Sequence, residues 1–257
     1  MPQKIIQKSN YHNKNILVIG GSFGIGEELC KELSNLGANL AIVARSKDKI
    51  ETLSQSLQGT HLPIACDISK KSDLNDLREN LTQEWAHIDV ILFCVGTYKP
   101  MNLENFDLAI AKNIIDINFT SFLEFIDAFM PLFKHKKISH LAIISSVAGY
   151  FGMPNSLAYG ASKAALINLS ESLFYEMKKY DTKVQLINPG FVKTRLTDQN
   201  DFTMPGIISA NKAANIIIKK LPTNVFEIKF PFAFASVMRL LFVIPYKLRF
   251  FLFRNAK

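Results

Sequence analysis

The sequence predicts an α/β fold: a doubly wound parallel sheet of seven strands in one domain, followed by an apolar, basic C-terminal extension. Three observations predict it. Short apolar runs recur along the chain without polar alternation, as strands covered on both faces require. Segments long enough for crossover helices separate those runs. A glycine-rich turn stands between the first apolar run and the first helical segment.

In chain order, Asn15–Gly20 (NILVIG), Asn39–Ala44 (NLAIVA), Leu62–Cys66 (LPIAC), Asp89–Val95 (DVILFCV) and His140–Ser145 (HLAIIS) read as buried strands. Lys183–Asn188 (KVQLIN) and Val225–Phe230 (VFEIKF) complete the seven. Between them, Ile25–Leu36, Asp73–Trp85, Ile110–Phe133, Tyr159–Tyr180 and Ala210–Leu221 read as helices. No linker or repeat interrupts residues 15–230, which form one domain between a polar segment, 1–14, and an extension, 231–257. With 48% hydrophobic and 20% charged residues, the 257-residue chain buries a large core and is not disordered.

The opening MPQKIIQKSNYHNKN is positively charged but has no apolar stretch behind it, which argues against a secretory signal. Cys30, Cys66 and Cys94 are odd in number and lack framework spacing. A reducing, cytoplasmic compartment is therefore expected. His12, His61, His87, His135 and His140 show no metal-ligand spacing, so no metal is expected. The net charge is +8, and after Glu227 the chain has no acidic residue while Lys229, Arg239, Lys247, Arg249, Arg254 and Lys257 follow. That asymmetry points to an anionic membrane surface or substrate and away from nucleic acid, since no zinc-finger spacing or RNA-binding aromatic box accompanies it.

Gly20-Gly21-Ser22-Phe23-Gly24-Ile25-Gly26 has the physics of a dinucleotide site. Gly20 permits a sharp turn, Gly24 a close backbone approach to phosphate, and Gly26 tight strand–helix contact. The amides that open the next helix then face the pyrophosphate, with Ser22, Phe23 and Ile25 in the cradle. At the end of the second strand, Ala44 stands where an acid would hold the ribose 2′-hydroxyl, and Arg45 offers a guanidinium to a 2′-phosphate. Ser46 adds a hydroxyl donor. This favours NADP(H) over NAD(H). Asp67 is expected to cap the helix that follows the third strand. Tyr159 and Lys163, four apart on a helix, share one face. There the ammonium and an oxidised nicotinamide are expected to lower the phenol's pKa and fit it for proton transfer.

The GxxxGxG spacing with Ile25 between the last two glycines, Tyr159-x-x-x-Lys163, and Asn188-Pro189-Gly190-Phe191-Val192-Lys193-Thr194 together resemble the short-chain dehydrogenase/reductase family. The matching motifs span Gly20 to Thr194 in family order. The resemblance implies a Rossmann-like domain and a hydride transfer between NADP(H) and a small-molecule carbonyl or alcohol. It implies Tyr159 as acid/base, Lys163 as its electrostatic partner and ribose ligand, and Ser146, thirteen positions before the Tyr, as the group orienting the substrate oxygen. It further implies Asn118, distorting its helix, as anchor of a water in a proton relay. Asp67 and Ile68 would flank the adenine, Val95 and Gly96 the nicotinamide ribose. Pro189, Gly190, Val192 and Thr194 would fix the nicotinamide amide. Relatives pair through the helices around the fifth strand, which implies a homodimer or homotetramer.

Two features depart from the family. Its Asn-Asn-Ala-Gly reads Phe93-Cys94-Val95-Gly96, and Ile19 replaces the Thr before the first glycine. Losing both partners of a buried hydrogen bond reads as repacking, since paired apolar replacement can be near neutral. The second departure is the extension, which Pro231 and Pro245 divide and Arg239 and Lys247 interrupt. It is too broken to span a bilayer and reads as a lid over the substrate, a subunit contact or a peripheral membrane-surface element. With Leu196–Met204 short and polar, an apolar wall from the tail would suit a lipophilic ketone, aldehyde or 3-oxoacyl substrate. The alternative is a non-catalytic cofactor-binding or membrane-surface scaffold that retains the fold.

Overall fold

The structure, a computed structural model, describes residues 9–254; most of the polar opening segment and the last three residues lie outside them. All seven expected strands form: β1 (Asn15–Ile19), β2 (Asn39–Ala44), β3 (Leu62–Ala65), β4 (Val90–Phe93), β5 (His140–Ile144), β6 (Lys183–Pro189) and, last in chain order, β9 (Glu227–Phe230). They make one parallel sheet in the order β3-β2-β1-β4-β5-β6-β9. The chain thus winds outward one way from β1, returns to the centre and winds outward the other way from β4. The reversal leaves a crevice between β1 and β4 at the carboxyl ends of the strands.

Both faces of the sheet are covered, which explains the unbroken apolar runs. Leu17 and Ile19 of β1 join the core beneath helices α3 (Lys71–Glu84), α5 (Ser121–Lys134) and α6 (Leu157–Glu176). Ile16 and Val18 point the other way, to α1 (Gly24–Asn35), α2 (Lys47–Ser56) and α7 (Ala210–Lys220). The α2 helix was not expected, because KDKIETLSQS is polar; only Ile50 and Leu53, one helical turn apart, are buried.

The single helix expected over Ile110–Phe133 is instead α4 (Leu108–Ile115) and α5, joined by one π-helical turn, Asp116–Thr120. Asn118 sits inside that turn, so the local distortion expected around it is present. After β6, the short strands β7 (Val192–Lys193) and β8 (Ile208–Ser209) pair in parallel and close off the loop between them. The extension forms two helices, α8 (Phe232–Val243) and α9 (Tyr246–Phe253).

The apolar replacements in β4 and β1 are accommodated by repacking. Phe93 is fully buried and packs edge-on against Phe122, with ring centroids 4.8 Å apart, and lies 5.6 Å from Phe125. The Cys94 amide donates to the Ile19 carbonyl (2.8 Å), so main-chain bonding ties the two strands together. The Cys94 thiol is pushed up to about 12, mainly by burial, which keeps it protonated and unreactive.

Candidate active site

The crevice is a cavity of about 520 Å3, within the range of small-molecule and cofactor sites. The glycine turn forms its floor. Gly20 has φ +87°, and a Cβ there would lie 3.0 Å from the Cys94 carbonyl. Gly24 has φ +55°, and a Cβ would lie 2.9 Å from Thr194 Cγ2. Gly26 lies so close to the Gly20 carbonyl oxygen that any side chain would collide with it. Phe23 is the N-cap of α1 and supplies no side-chain acceptor, so the first helical amides are uncapped beside the cavity that Ser22, Phe23 and Ile25 line. The cradle is shaped for a dinucleotide phosphate. Gly26→Ala is expected to force β1 and α1 apart, costing about 1–3 kcal/mol of stability. Paired urea melts and nucleotide titrations check this: loss of both stability and dinucleotide affinity is expected.

Arg45 and Ser46 lie exposed at the rim beyond β2, and among the described residues no ion pair engages Arg45. Asp67 and Ile68 line the same end. Asp67 does not cap α3, contrary to expectation: that helix begins at Lys71, and the carboxylate instead accepts from the Ser69 amide (3.1 Å) and hydroxyl (2.7 Å). Partial burial opposes its charge, but those bonds and the charges of Arg45 and Lys70 outweigh it and hold the carboxyl below its ordinary 3.8.

At the other end, α6 presents Tyr159 in its first turn and Lys163 one turn on, the ammonium 5.9 Å from the ring centre. A short 3-10 turn, Val147–Gly149, packs on α6 at Gly149, where a Cβ would lie 2.6 Å from the Lys163 carbonyl carbon. This close approach holds Ser146 beside the Tyr159 phenol, whose pKa its hydroxyl acts to lower. Ser146 Oγ also accepts from the Ala148 amide (3.1 Å) and donates to the Pro189 carbonyl (3.4 Å). Ser145 turns away and donates to the Lys163 carbonyl (2.8 Å).

Lys163 is buried, donates to the Ile144 carbonyl (3.1 Å), and burial lowers its ammonium from 10.5 to about 8. Burial also raises the Tyr159 phenol above its ordinary 10, and the Ser146 hydroxyl only partly opposes that. Desolvation acts against the charged form of both groups, raising the phenol and lowering the ammonium, while the expected lowering of the phenol needs the oxidised nicotinamide beside it. Tyr159 is thus held as a protonated donor.

Asn118 is wholly buried and is not on the cavity wall. Its Oδ1 accepts from the Thr97 amide (2.7 Å), and its Nδ2 donates to the Thr97 carbonyl (3.0 Å) and Ser162 Oγ (2.9 Å). The side chain therefore fixes the segment after β4, where Val95 and Gly96 line the cavity; a Cβ on Gly96 would lie 3.4 Å from Lys163 Nζ. Pro189, Gly190, Val192 and Thr194 form the opposite wall.

Sequence reasoning missed two neighbours. Tyr98 packs edge-on against Tyr159 (4.8 Å) and donates to Asn200 (2.7 Å), fastening the loop after β7 across the catalytic end. Arg195 lines the cavity with its guanidinium 3.2 Å from the Phe23 ring centre, while Lys49 lies 4.1 Å from the same ring. Its place directly after Thr194 was the available signal. Residues 231–254 do not line the cavity: the extension packs instead beside Tyr150 and Phe151, with Phe234 against Gly190 and Phe191. Among the described residues no cluster of His, Cys, Asp and Glu of metal-binding size occurs.

Comparison with known proteins places these features in context. The family model described as short chain dehydrogenase matches residues 14–204. An uncharacterized oxidoreductase of Staphylococcus saprophyticus is 31% identical over 193 residues, covering 74% of this chain and 78% of its own. Another, from Myxococcus xanthus, is 29% identical over 235 residues, covering 90% and 93%. Among solved structures, a short chain dehydrogenase from Burkholderia cenocepacia in complex with NADP superposes with a TM-score of 0.82 at 18% identity, covering 96% of this chain and 98% of that one. A short-chain dehydrogenase/reductase from Mycobacterium marinum gives 0.75 at 20% identity, covering 85% and 94%.

Proposed function

Because the chain belongs to the short-chain dehydrogenase family, oxidoreductases that act on small molecules with a nicotinamide cofactor, we propose that it is an NADPH-dependent reductase of lipophilic ketones, aldehydes or 3-oxoacyl groups. One observation carries the reading. The glycine cradle, Arg45 and the Ser146–Tyr159–Lys163 group all face one cavity, so a dinucleotide seated on the cradle can reach the proton donor. The residues fit the cofactor: two positive-φ glycines, uncapped helix amides and an unpaired rim arginine supply backbone room and anion-binding donors.

The nicotinamide supplies the hydride. The protein's own groups do the rest. Ser146 Oγ donates to the substrate carbonyl oxygen and orients it beside Tyr159. The Tyr159 hydroxyl gives its proton to that oxygen as it becomes an alcohol, and Lys163 stabilises the phenolate left behind. Asn118, through Thr97, keeps the Val95–Gly96 wall in place. Arg45 reads the 2′-phosphate, and Arg195, held on Phe23, brings a second guanidinium to the phosphate end.

Arg45→Ala is expected to weaken NADPH binding about tenfold while leaving NADH unchanged. Arg195→Ala is expected to weaken both, since it lies nearer the glycine turn. Fluorescence titration of each variant with both dinucleotides checks the pair. The lipophilic class is the reading of the sequence alone, since the extension expected to wall the pocket does not line this cavity. Turnover of NADPH with alkyl ketones and aldehydes of increasing chain length tests it. KM should fall with length; activity confined to short polar carbonyls would reject the lipophilic class. Homo-oligomerisation belongs to the same proposal: Phe106, Leu108 and Leu157 are exposed around α4 and α6.

A further inference from the structure

No helix among the described residues is long and apolar enough to cross a membrane. The two C-terminal helices nevertheless carry a surface unsuited to water. Phe232, Val237, Leu240, Phe242 and Val243 of α8 are all exposed, as are Leu248, Phe250, Phe251 and Leu252 of α9. In α9 the usual order is inverted. Its arginine, Arg249, is 7% exposed, while Phe250 is 63% and Leu252 55% exposed. Arg249 donates to the Phe242 carbonyl (3.1 Å) at the end of α8 and sits over the rings of Phe151 and Tyr246. It thus locks α9 to α8 and to the domain, and the apolar side chains are left facing out. Met238, Ala235 and Phe253 pack inward, so the helix pair is a fixed platform.

We propose that this platform is a docking surface for an anionic lipid bilayer, lying in the plane of the headgroups. Charge decides between the candidate occupants. From Ile228 onward the chain has no acidic residue. Lys247 on α9 and Arg254, directly after that helix, are exposed, and Arg239 is half-buried on α8. Glu227, the acid before them, is engaged by the Tyr150 hydroxyl (2.5 Å) and Asn188 Nδ2 (2.7 Å). A second copy of the chain docking on this face would set cations against cations with no carboxylate between them. An anionic headgroup layer neutralises them, and its acyl region takes up the phenylalanine and leucine side chains. The proposal is independent of the reaction, and its test reads binding alone.

The test is co-sedimentation of the full chain with vesicles of phosphatidylcholine alone and of phosphatidylcholine mixed with phosphatidylglycerol. Preferential binding to the anionic vesicles, weakened by salt, is expected of the unaltered protein. Lys247→Glu/Arg254→Glu should weaken binding about tenfold or more, and Leu248→Glu/Phe251→Glu/Leu252→Glu should abolish it. Both variants should keep dinucleotide binding, which reports an intact domain. Failure of the unaltered protein to bind either vesicle overturns the proposal, as does equal binding to both. A concentration-dependent dimer that the triple variant dissolves, without vesicle binding, would reassign the face to a subunit contact.

Discussion

Tyr159→Phe is expected to lower turnover by about 10²–10⁴-fold while leaving dinucleotide affinity unchanged. The hydroxyl lies on the cavity wall beside Ser146, and Phe keeps the ring that Tyr98 packs against. Burial raises the phenol above its ordinary pKa, so Tyr159 is protonated at neutral pH and can donate to a carbonyl oxygen. Ser146→Ala should also impair turnover, by a smaller factor, since water can replace one hydrogen bond but not the proton source. Steady-state rates beside equilibrium titrations separate the two roles. A Tyr159→Phe protein with full turnover would remove Tyr159 from the chemistry.

Lys163→Met is expected to make the protein more stable and nearly inactive. Lys163 is buried beside Cys94, Tyr159 and Gly96, and desolvation, only partly opposed by Cys94, lowers its pKa from 10.5 to about 8. Below pH 8 the folded protein carries a proton that burial disfavours, at a cost of about 3 kcal/mol from that shift. The sign follows from proton counting. Between about pH 8 and 10.5 the unfolded chain binds the extra proton, so stability of the unaltered protein rises with pH across that window. Replacement by Met removes the penalty but also the bond to Ile144, leaving a gain of about 1–3 kcal/mol near neutral pH. The gain should shrink as pH approaches 10.5. Urea melts of both proteins near pH 7 and about pH 9.5 check it. A destabilised variant at neutral pH would mean that Lys163 contributes more through contacts than it loses by desolvation. The trade of stability for a poised charge is common at active sites.

The central strands were legible because burial on both faces gives an unbroken apolar run, as in β4 (VILF) and β5 (HLAII), buried at every position, whereas the edge strands β3 and β9 are buried only in part. The α2 helix was not legible, since two buried residues in ten leave little periodic signal. The glycine turn was legible because geometry requires glycine there: Gly20 and Gly24 take positive φ, and Gly26 has no room for a Cβ. How deeply Lys163 is buried was not legible, because spacing along a helix does not reveal it. Asn118 was found only through the family resemblance, and its partners, Thr97 and Ser162, come from two other elements that only the folded chain brings together. Arg195 escaped for the same reason, its stacking partner Phe23 lying far away in sequence. In the extension, composition gave charge and hydropathy, whereas the inward turn of Arg249 and the outward turn of Phe250 and Leu252 required the structure.

The central claim is that this crevice binds a nicotinamide dinucleotide and prefers the 2′-phosphorylated form. The most direct test is a fluorescence titration of the purified chain with NADPH and with NADH, which needs no knowledge of the substrate. Saturable binding of both, with NADPH at least about tenfold tighter, or about 1.4 kcal/mol, is the predicted result. Binding of neither dinucleotide would contradict the account, and would mean that Phe93-Cys94-Val95 and Ile19 have closed the site and left the fold as a scaffold.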